Sequence, residues 1–238
     1  MKKILGILLC ESETTVSSMP LLGKTCGEYV KDAMILAGAD KEAFAQEELP
    51  IADFDILLFA AEHTPCISGL SALVERAADT PCALITKQGS TLAFALPATL
   101  LGVFDEDITL SLLADAYGDT AQTIQADCEN GGIAVTDAES FAAAYRCLKG
   151  RIIKRHMQNG VIILEPERTV IGADVVIGCG TILYPNNTLQ GSTKIGRGCT
   201  LYPGSRFSDA FVGDETTVEH SVLLNSSVGS HITVGPFA

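Results

Sequence analysis

The sequence predicts two architectures in one chain: an α/β domain and then, through a linker helix, a parallel β-helix. Three observations carry this. From Lys2 to about Val135, apolar runs of strand length alternate with segments of helical periodicity. Residues 136–160 hold apolar side chains three and four apart on a basic background. From residue 171 an aliphatic side chain returns every sixth position, at Ile171, Ile177, Leu183, Leu189, Ile195 and Leu201. A period of six is neither the 3.6 of a helix nor the 2 of an amphipathic strand. It is the repeat of a solenoid in which each short strand is one face of a coil. Sandwich strands joined by regular turns are the competing arrangement.

Residues 3–9 are an apolar run, read as a central strand buried on both faces. The start resembles a signal peptide, but Glu11 and Glu13 follow at once and no small-residue cleavage site is present. Residues 27–37 place Val30, Ala33, Met34 and Ala37 at helical spacing, and Gly38 can end that helix. Residues 55–61 read as a second strand. Residues 68–78 read as a helix with Leu70, Leu73, Val74 and Ala77 on one face. Strands at 82–86 and 91–96 flank Lys87-Gln88-Gly89-Ser90, a hairpin turn. Residues 107–117 form a helix burying Ile108, Leu112 and Leu113, and 120–125 a last edge strand. Such alternation implies an open, mainly parallel sheet covered by helices.

The linker helix opens with Thr136 and Glu139 in a capping-box pattern. Phe141, Tyr145, Leu148, Ile152 and His156 share one stripe, and Asn159-Gly160 supplies a left-handed stop. Gly150 inside it costs about 1 kcal/mol against Ala. The other side carries Arg146, Lys149, Arg151, Lys154 and Arg155. It is either a solvated basic face or a surface drawn to acidic groups of this chain or a neighbouring subunit.

In the solenoid, Val175, Thr181, Asn187, Thr193, Cys199 and Ser205 sit four residues after each aliphatic and turn the corners. Phe207, Val212, Val218, Leu223, Val228 and Val234 continue the inward row in steps of five or six. Three faces per coil give about four coils. The expected domains are therefore 1–135, the linker helix 136–160, and the β-helix 161–238, which reads as incomplete at its C-terminal end.

A net charge of -13 and a pI near 4.6 argue against nucleic acid or anionic membrane as partners. No apolar run is long enough to span a bilayer. Eight cysteines without a C-x-x-C pair argue against zinc and for a cytoplasmic protein with reduced thiols.

The run Arg151-Ile152-Ile153-Lys154-Arg155-His156-Met157-Gln158-Asn159-Gly160-Val161, then Glu165-Pro166-Glu167 and the hexads, carries a family resemblance. It resembles the junction of helix and β-helix in the bifunctional N-acetylglucosamine-1-phosphate uridyltransferase / glucosamine-1-phosphate N-acetyltransferase family. The likeness extends from about Ile133 to the final Val234-Gly235-Pro236-Phe237-Ala238. It implies a Rossmann-like nucleotidyltransferase domain, a helical arm and a left-handed β-helix that forms a homotrimer. It implies Mg²⁺ and acetyl-CoA as the cofactors of the family, and a sugar phosphate or nucleotide as ligand.

The first half resembles the same family through residues 4–9, through Pro20-Leu21-Leu22-Gly23-Lys24-Thr25 and through the strand ending Ala61-Glu62-His63-Thr64-Pro65. By that resemblance Gly23 and Lys24 are vestigial substrate-binding residues. Glu62 replaces the Asp of the family's Gly-Asp-x-Pro metal site; it is either a Mg²⁺ ligand or a surface carboxylate at a strand end. His63 reads as a surface residue. The family's phosphate loop is Ala-Ala-Gly-x-Gly-Thr-Arg-Met. Here residues 10–19 hold Glu11 and Glu13 and no Gly, Arg or Lys. Each carboxylate would repel a triphosphate by about 1–4 kcal/mol. The middle segment that binds the sugar is missing after Lys87. In the family the acetyltransferase residues lie in coils beyond the segment matching 234–238. His220 and His231 fall at outward turns and read as surface histidines, and no catalytic residue is assigned.

The expectation is a degenerate, shortened nucleotidyltransferase domain on an arm and β-helix, inactive alone. Its parent protein would be an amino-sugar-phosphate N-acetyltransferase that has lost uridyl transfer. A non-catalytic trimeric scaffold and a divergent sugar-1-phosphate nucleotidyltransferase are the alternatives.

Overall fold

A computed structural model describes residues 2–10, 16, 18–45, 50–86, 89–101, 108–126 and 132–238. The chain divides into two compact units. The first comprises Met1–Pro20 with Thr25–Ala144, the second Leu21–Lys24 with Tyr145–Ala238.

The first unit is a six-stranded sheet. In chain order its elements are β1 (Ile4–Leu9), α1 (Cys26–Leu36), β2 (Lys41–Phe44), β3 (Ile56–Ala61), α2 (Leu70–Arg76), β4 (Cys82–Ile85), β5 (Thr91–Pro97), α3 (Leu110–Tyr117) and β6 (Gln122–Gln125). The strand order is β2-β1-β3-β5-β4-β6. All six residues of β1 and of β3 are buried, because both faces of the sheet are covered. Ile4 and Leu8 pack on one side with Val30 and Met34 of α1 and Leu73 of α2. Leu5, Ile7 and Leu9 point the other way, toward Leu110 and Leu113 of α3. The period of two in β1 thus divides one apolar run between two cores. The first strand is an interior strand, as read.

The sheet is mainly parallel, as expected, with one strand, β5, reversed within it. β1 runs parallel to β2 and β3, and β4 to β6, but β5 is antiparallel to both β3 and β4. The cause is the expected hairpin: a connection this short joins only antiparallel neighbours. Thr86 N donates to Ser90 O at 2.8 Å across it; Lys87 and Gln88 lie outside the described residues.

Two helix starts and one strand differ from the sequence reading. α3 begins at Leu110, because Thr109 caps it through Oγ1 to Leu112 N at 3.1 Å. Its buried face is therefore Leu110 and Leu113, and Ile108 precedes the helix. The edge strand β2 has one buried residue, Ala43, too little alternation to announce a strand. The long helix α4 (Ala138–Gln158) is capped by Asp137, not Thr136. Ser140 N donates to Asp137 Oδ1 at 2.8 Å, and Ser140 Oγ accepts from Asp137 N at 3.0 Å. The helix starts at 138, so Ser140, not Glu139, stands at the third helical position. The bonds that Ser140 N and Ser140 Oγ donate to Asp137 Oδ1 hold the Asp137 carboxyl below its ordinary pKa. At the other end Gly160, at φ +86°, ends the helix as expected.

The second unit is a left-handed parallel β-helix of three sheets with five, four and four strands. All its strand pairs are parallel. The inward row from Ile171 to Leu223 is buried and forms one core, with Ile152 and Ile153 of α4 closing it. The corner residues are buried too, and their polar atoms replace backbone partners. Asn187 Nδ2 donates to Tyr184 O and Leu201 O, and its Oδ1 accepts from Ser205 N at 3.0 Å. Thr181 Oγ1 donates to Gly196 O at 2.8 Å. Cys199 Sγ lies 3.1 Å from Gly213 O, which suits a small buried thiol. Gly178 is there for close approach: a Cβ would come 2.6 Å from the Gly196 carbonyl of the next coil.

Coil length falls along the stack. In one sheet the residues in register are Ile162, Ile182, Thr200, Thr217 and Thr233, so successive coils take 20, 18, 17 and 16 residues. Seven described cysteines are all free thiols. Among the described residues no helix is long and apolar enough to cross a membrane.

Candidate functional site

Leu21–Lys24 is the segment in which the sequence placed substrate-binding residues. It folds as a tight turn closed by Leu21 N to Lys24 O at 2.7 Å and Lys24 N to Leu21 O at 3.2 Å. Leu22 and Gly23 have φ of +51° and +100°, the two successive positive values of a type I′ turn. Gly23 answers that demand; a Cβ there would meet nothing, but its backbone suits glycine. The turn belongs to the β-helix unit. Leu22 packs against the β-helix core, and its carbonyl accepts from Ala173 N at 2.9 Å. Lys24 Nζ lies 3.1 Å from Asp174 Oδ1, with 22% of its side chain exposed. The structure thus brings Gly23 and Lys24 to the first hexad.

Glu62 follows β3, and its N–H donates to Leu9 O at 3.0 Å. Its half-buried side chain lies over the first turn of α1: a Cβ on Gly27 would come 2.9 Å from Glu62 Cγ and Oε1. The same turn is closed by a capping box in which Thr25 and Glu28 exchange bonds. Burial first, and the Glu62 charge second, push the Cys26 thiol up to about 11. Among the described residues no group of three or more His, Cys, Asp and Glu could hold a metal ion. The Glu62 carboxylate is turned to this helix end, and the Glu28 carboxylate beside it is bonded to Thr25. His63 accepts a bond from Val135 N through its carbonyl. Glu11 and Glu13 lie outside the described residues.

His220 and His231 are exposed corner residues with φ of +42° and +59°. His220 stacks on Phe237, and His231 Nδ1 sits 3.2 Å from Glu215. Sequence reading placed His156 on a helical stripe but gave it no chemistry. It is 4% exposed, and no protein group bonds its Nε2. Burial, with Arg155 adding to it, lowers its pKa from 6.5 to about 4. It borders a cleft of about 330 Å³ with Asn159, Val175 and Ile177.

No protein-family profile matches the chain. It is 50% identical over 106 residues to the bifunctional protein GlmU of Clostridium beijerinckii, covering 44% of this chain and 23% of that protein. The bifunctional protein GlmU of Clostridium botulinum matches at 43% over 129 residues, or 50% of this chain and 28% of the relative. The chain is a relative of GlmU over about half its length. The resemblance drawn from the junction and the hexads therefore stands. The GlmU protein of a Geobacillus species agrees at 42% over 106 residues, 44% of this chain and 23% of that one. The matched part thus spans about a quarter of the length of these GlmU proteins. Among solved structures, a 4-diphosphocytidyl-2C-methyl-D-erythritol synthase from Anaerococcus prevotii aligns at a TM-score of 0.42 and 10% identity, over 62% of this chain and 99% of that one.

Proposed function

We propose that this GlmU relative has given up uridyl transfer in its first unit, and that its β-helix serves N-acetylation of an amino-sugar phosphate from acetyl-CoA in a cytoplasmic homotrimer. In this reading residues 1–135 are a degenerate nucleotidyltransferase domain, 136–160 a linker and 161–238 part of the acetyltransferase scaffold, and the chain alone is inactive. The carrying observation is the place of Lys24. The residue that would meet a substrate phosphate is committed to Asp174, in a turn hydrogen-bonded to the first hexad. Glu62, where a metal ligand would stand, faces Gly27 at a helix end. Half-exposed apolar side chains on the outer faces of the coils, among them Val176, Phe211, Val222 and Leu224, support assembly.

The polypeptide encoded by the whole reading frame should acetylate glucosamine-1-phosphate from acetyl-CoA and form no UDP-N-acetylglucosamine from UTP. Uridyl transfer that Glu62→Ala reduces would overturn the first half of the proposal. Absence of acetyl transfer by a trimeric protein would overturn the second half and leave the non-catalytic scaffold.

A further inference from the structure

The basic face of α4 is not absorbed by that function. A groove of about 740 Å³ runs along it, within the roughly 300–1,000 Å³ of small-molecule sites. One wall is Arg146, Lys149, Gly150, Ile153, Lys154 and Met157, at the three- and four-residue steps that share a helix face. The other is the turn Pro166-Glu167, and all of it lies in the second unit.

The floor is apolar and the rim cationic. Ile153 is buried, while Met157 leaves 46% of an adaptable thioether side chain exposed. Lys149 Nζ donates to the Glu167 carbonyl at 2.6 Å, which fixes its head at the groove and leaves two donors over. Among the described residues, Arg146 and Lys154 make no hydrogen bond or ion pair. The Glu167 carboxylate is the one opposing charge on the lining. This excess stands out in an acidic chain. The second unit has ten Lys and Arg against seven Asp and Glu, the first six against twenty-two.

Gly150 supplies an independent observation. Its φ lies outside the left-handed region, and a Cβ there would meet nothing within 4 Å. Neither backbone geometry nor packing asks for glycine inside a 21-residue helix, where Ala is the better helix former. What the missing side chain does is hold the groove open between the Arg146–Lys149 turn and Lys154. Arg146 and Lys149 are about 4.5 Å apart along the axis, a spacing that suits two linked phosphates. Beyond them the floor at Gly150, Ile153 and Met157 can take a flat ring.

We propose that this groove binds a nucleoside diphosphate, its phosphates on Arg146 and Lys149 and its base along Gly150, Ile153 and Met157 near Lys154. The test is titration of the full chain with ADP, without Mg²⁺, by calorimetry, beside adenosine and inorganic pyrophosphate. ADP should bind at least tenfold more tightly than either fragment. Arg146→Glu should weaken it at least tenfold, and Gly150→Leu, which fills the groove, should abolish it. Glu62→Ala, in the first unit, should leave it unchanged, which separates this site from any retained nucleotide site there. Failure of the chain to bind ADP at millimolar concentration would overturn the proposal. So would adenosine binding as well as ADP, or ADP affinity unchanged in both groove variants. If Gly150→Leu instead changed the sedimentation coefficient and no ADP bound, the groove would be a protein interface and the proposal would fall.

Discussion

His156 offers the sharpest quantitative test of the junction between α4 and the β-helix. The imidazole is 4% exposed, and burial lowers its pKa to about 4, against 6.5 in an unfolded chain. As pH falls, the unfolded chain takes up the proton first. The native state therefore keeps its full stability above pH 6.5 and loses it progressively down to about pH 4. At pH 5 the unfolded histidine is almost wholly charged and the native one almost wholly neutral, a loss of about 2 kcal/mol. Leu in place of His156 removes both the titration and the buried Nε2 that no protein group bonds. Urea denaturation followed by circular dichroism, at pH 7 and pH 5, should show His156→Leu within about 1 kcal/mol of wild type at pH 7. At pH 5 the variant should gain about 2 kcal/mol relative to wild type. A gap that moves by less than about 0.5 kcal/mol between the two pH values would refute the reasoning.

Four further outcomes follow from the β-helix and the helix that leads into it. Asn187→Ala should cost about 2–3 kcal/mol by urea denaturation, because Ser205 N and Tyr184 O lose their partner in a buried corner. Gly178→Ala should lower the melting temperature, with an overpacking cost of roughly 1–3 kcal/mol, since its methyl would press on backbone that cannot swing aside; Gly150→Ala should raise it, adding up to about 1 kcal/mol of stability. Phe211→Glu, on the outer face beside Lys194 and Ser227, should leave the coil folded and, in the trimer proposed above, shift sedimentation toward monomer; an assembly that Phe211→Glu leaves intact would place the interface elsewhere.

The solenoid was legible because its period is the structure: Ile171, Ile177 and Leu183 point inward for the reason that makes them recur. The sheet was legible where both faces are buried, as in β1 and β3, which read as unbroken apolar runs. Local chemistry was less so. Thr136 and Asp137 both make plausible caps, and where the helix begins decides between them. Thr25 and Glu28 form a capping box that the reading of the apolar spacing passed over. β2 was missed because an exposed edge strand needs little patterning. The candidate site was least legible of all. Likeness could suggest a role for Gly23 and Lys24, but the contacts of Leu22 with Ala173 and of Lys24 with Asp174 join residues some 150 positions apart. His156 falls on the expected stripe, yet spacing does not reveal whether a buried nitrogen finds a partner.

Coils of 20, 18, 17 and 16 residues share one unbroken inward column. Length is therefore stored where the chain bends and not where it pairs. A residue gained or lost at a bend leaves every strand's phase untouched, whereas the same change within a two-residue strand would turn its aliphatic outward. Such a stack can drift in size by single residues without rebuilding its interior.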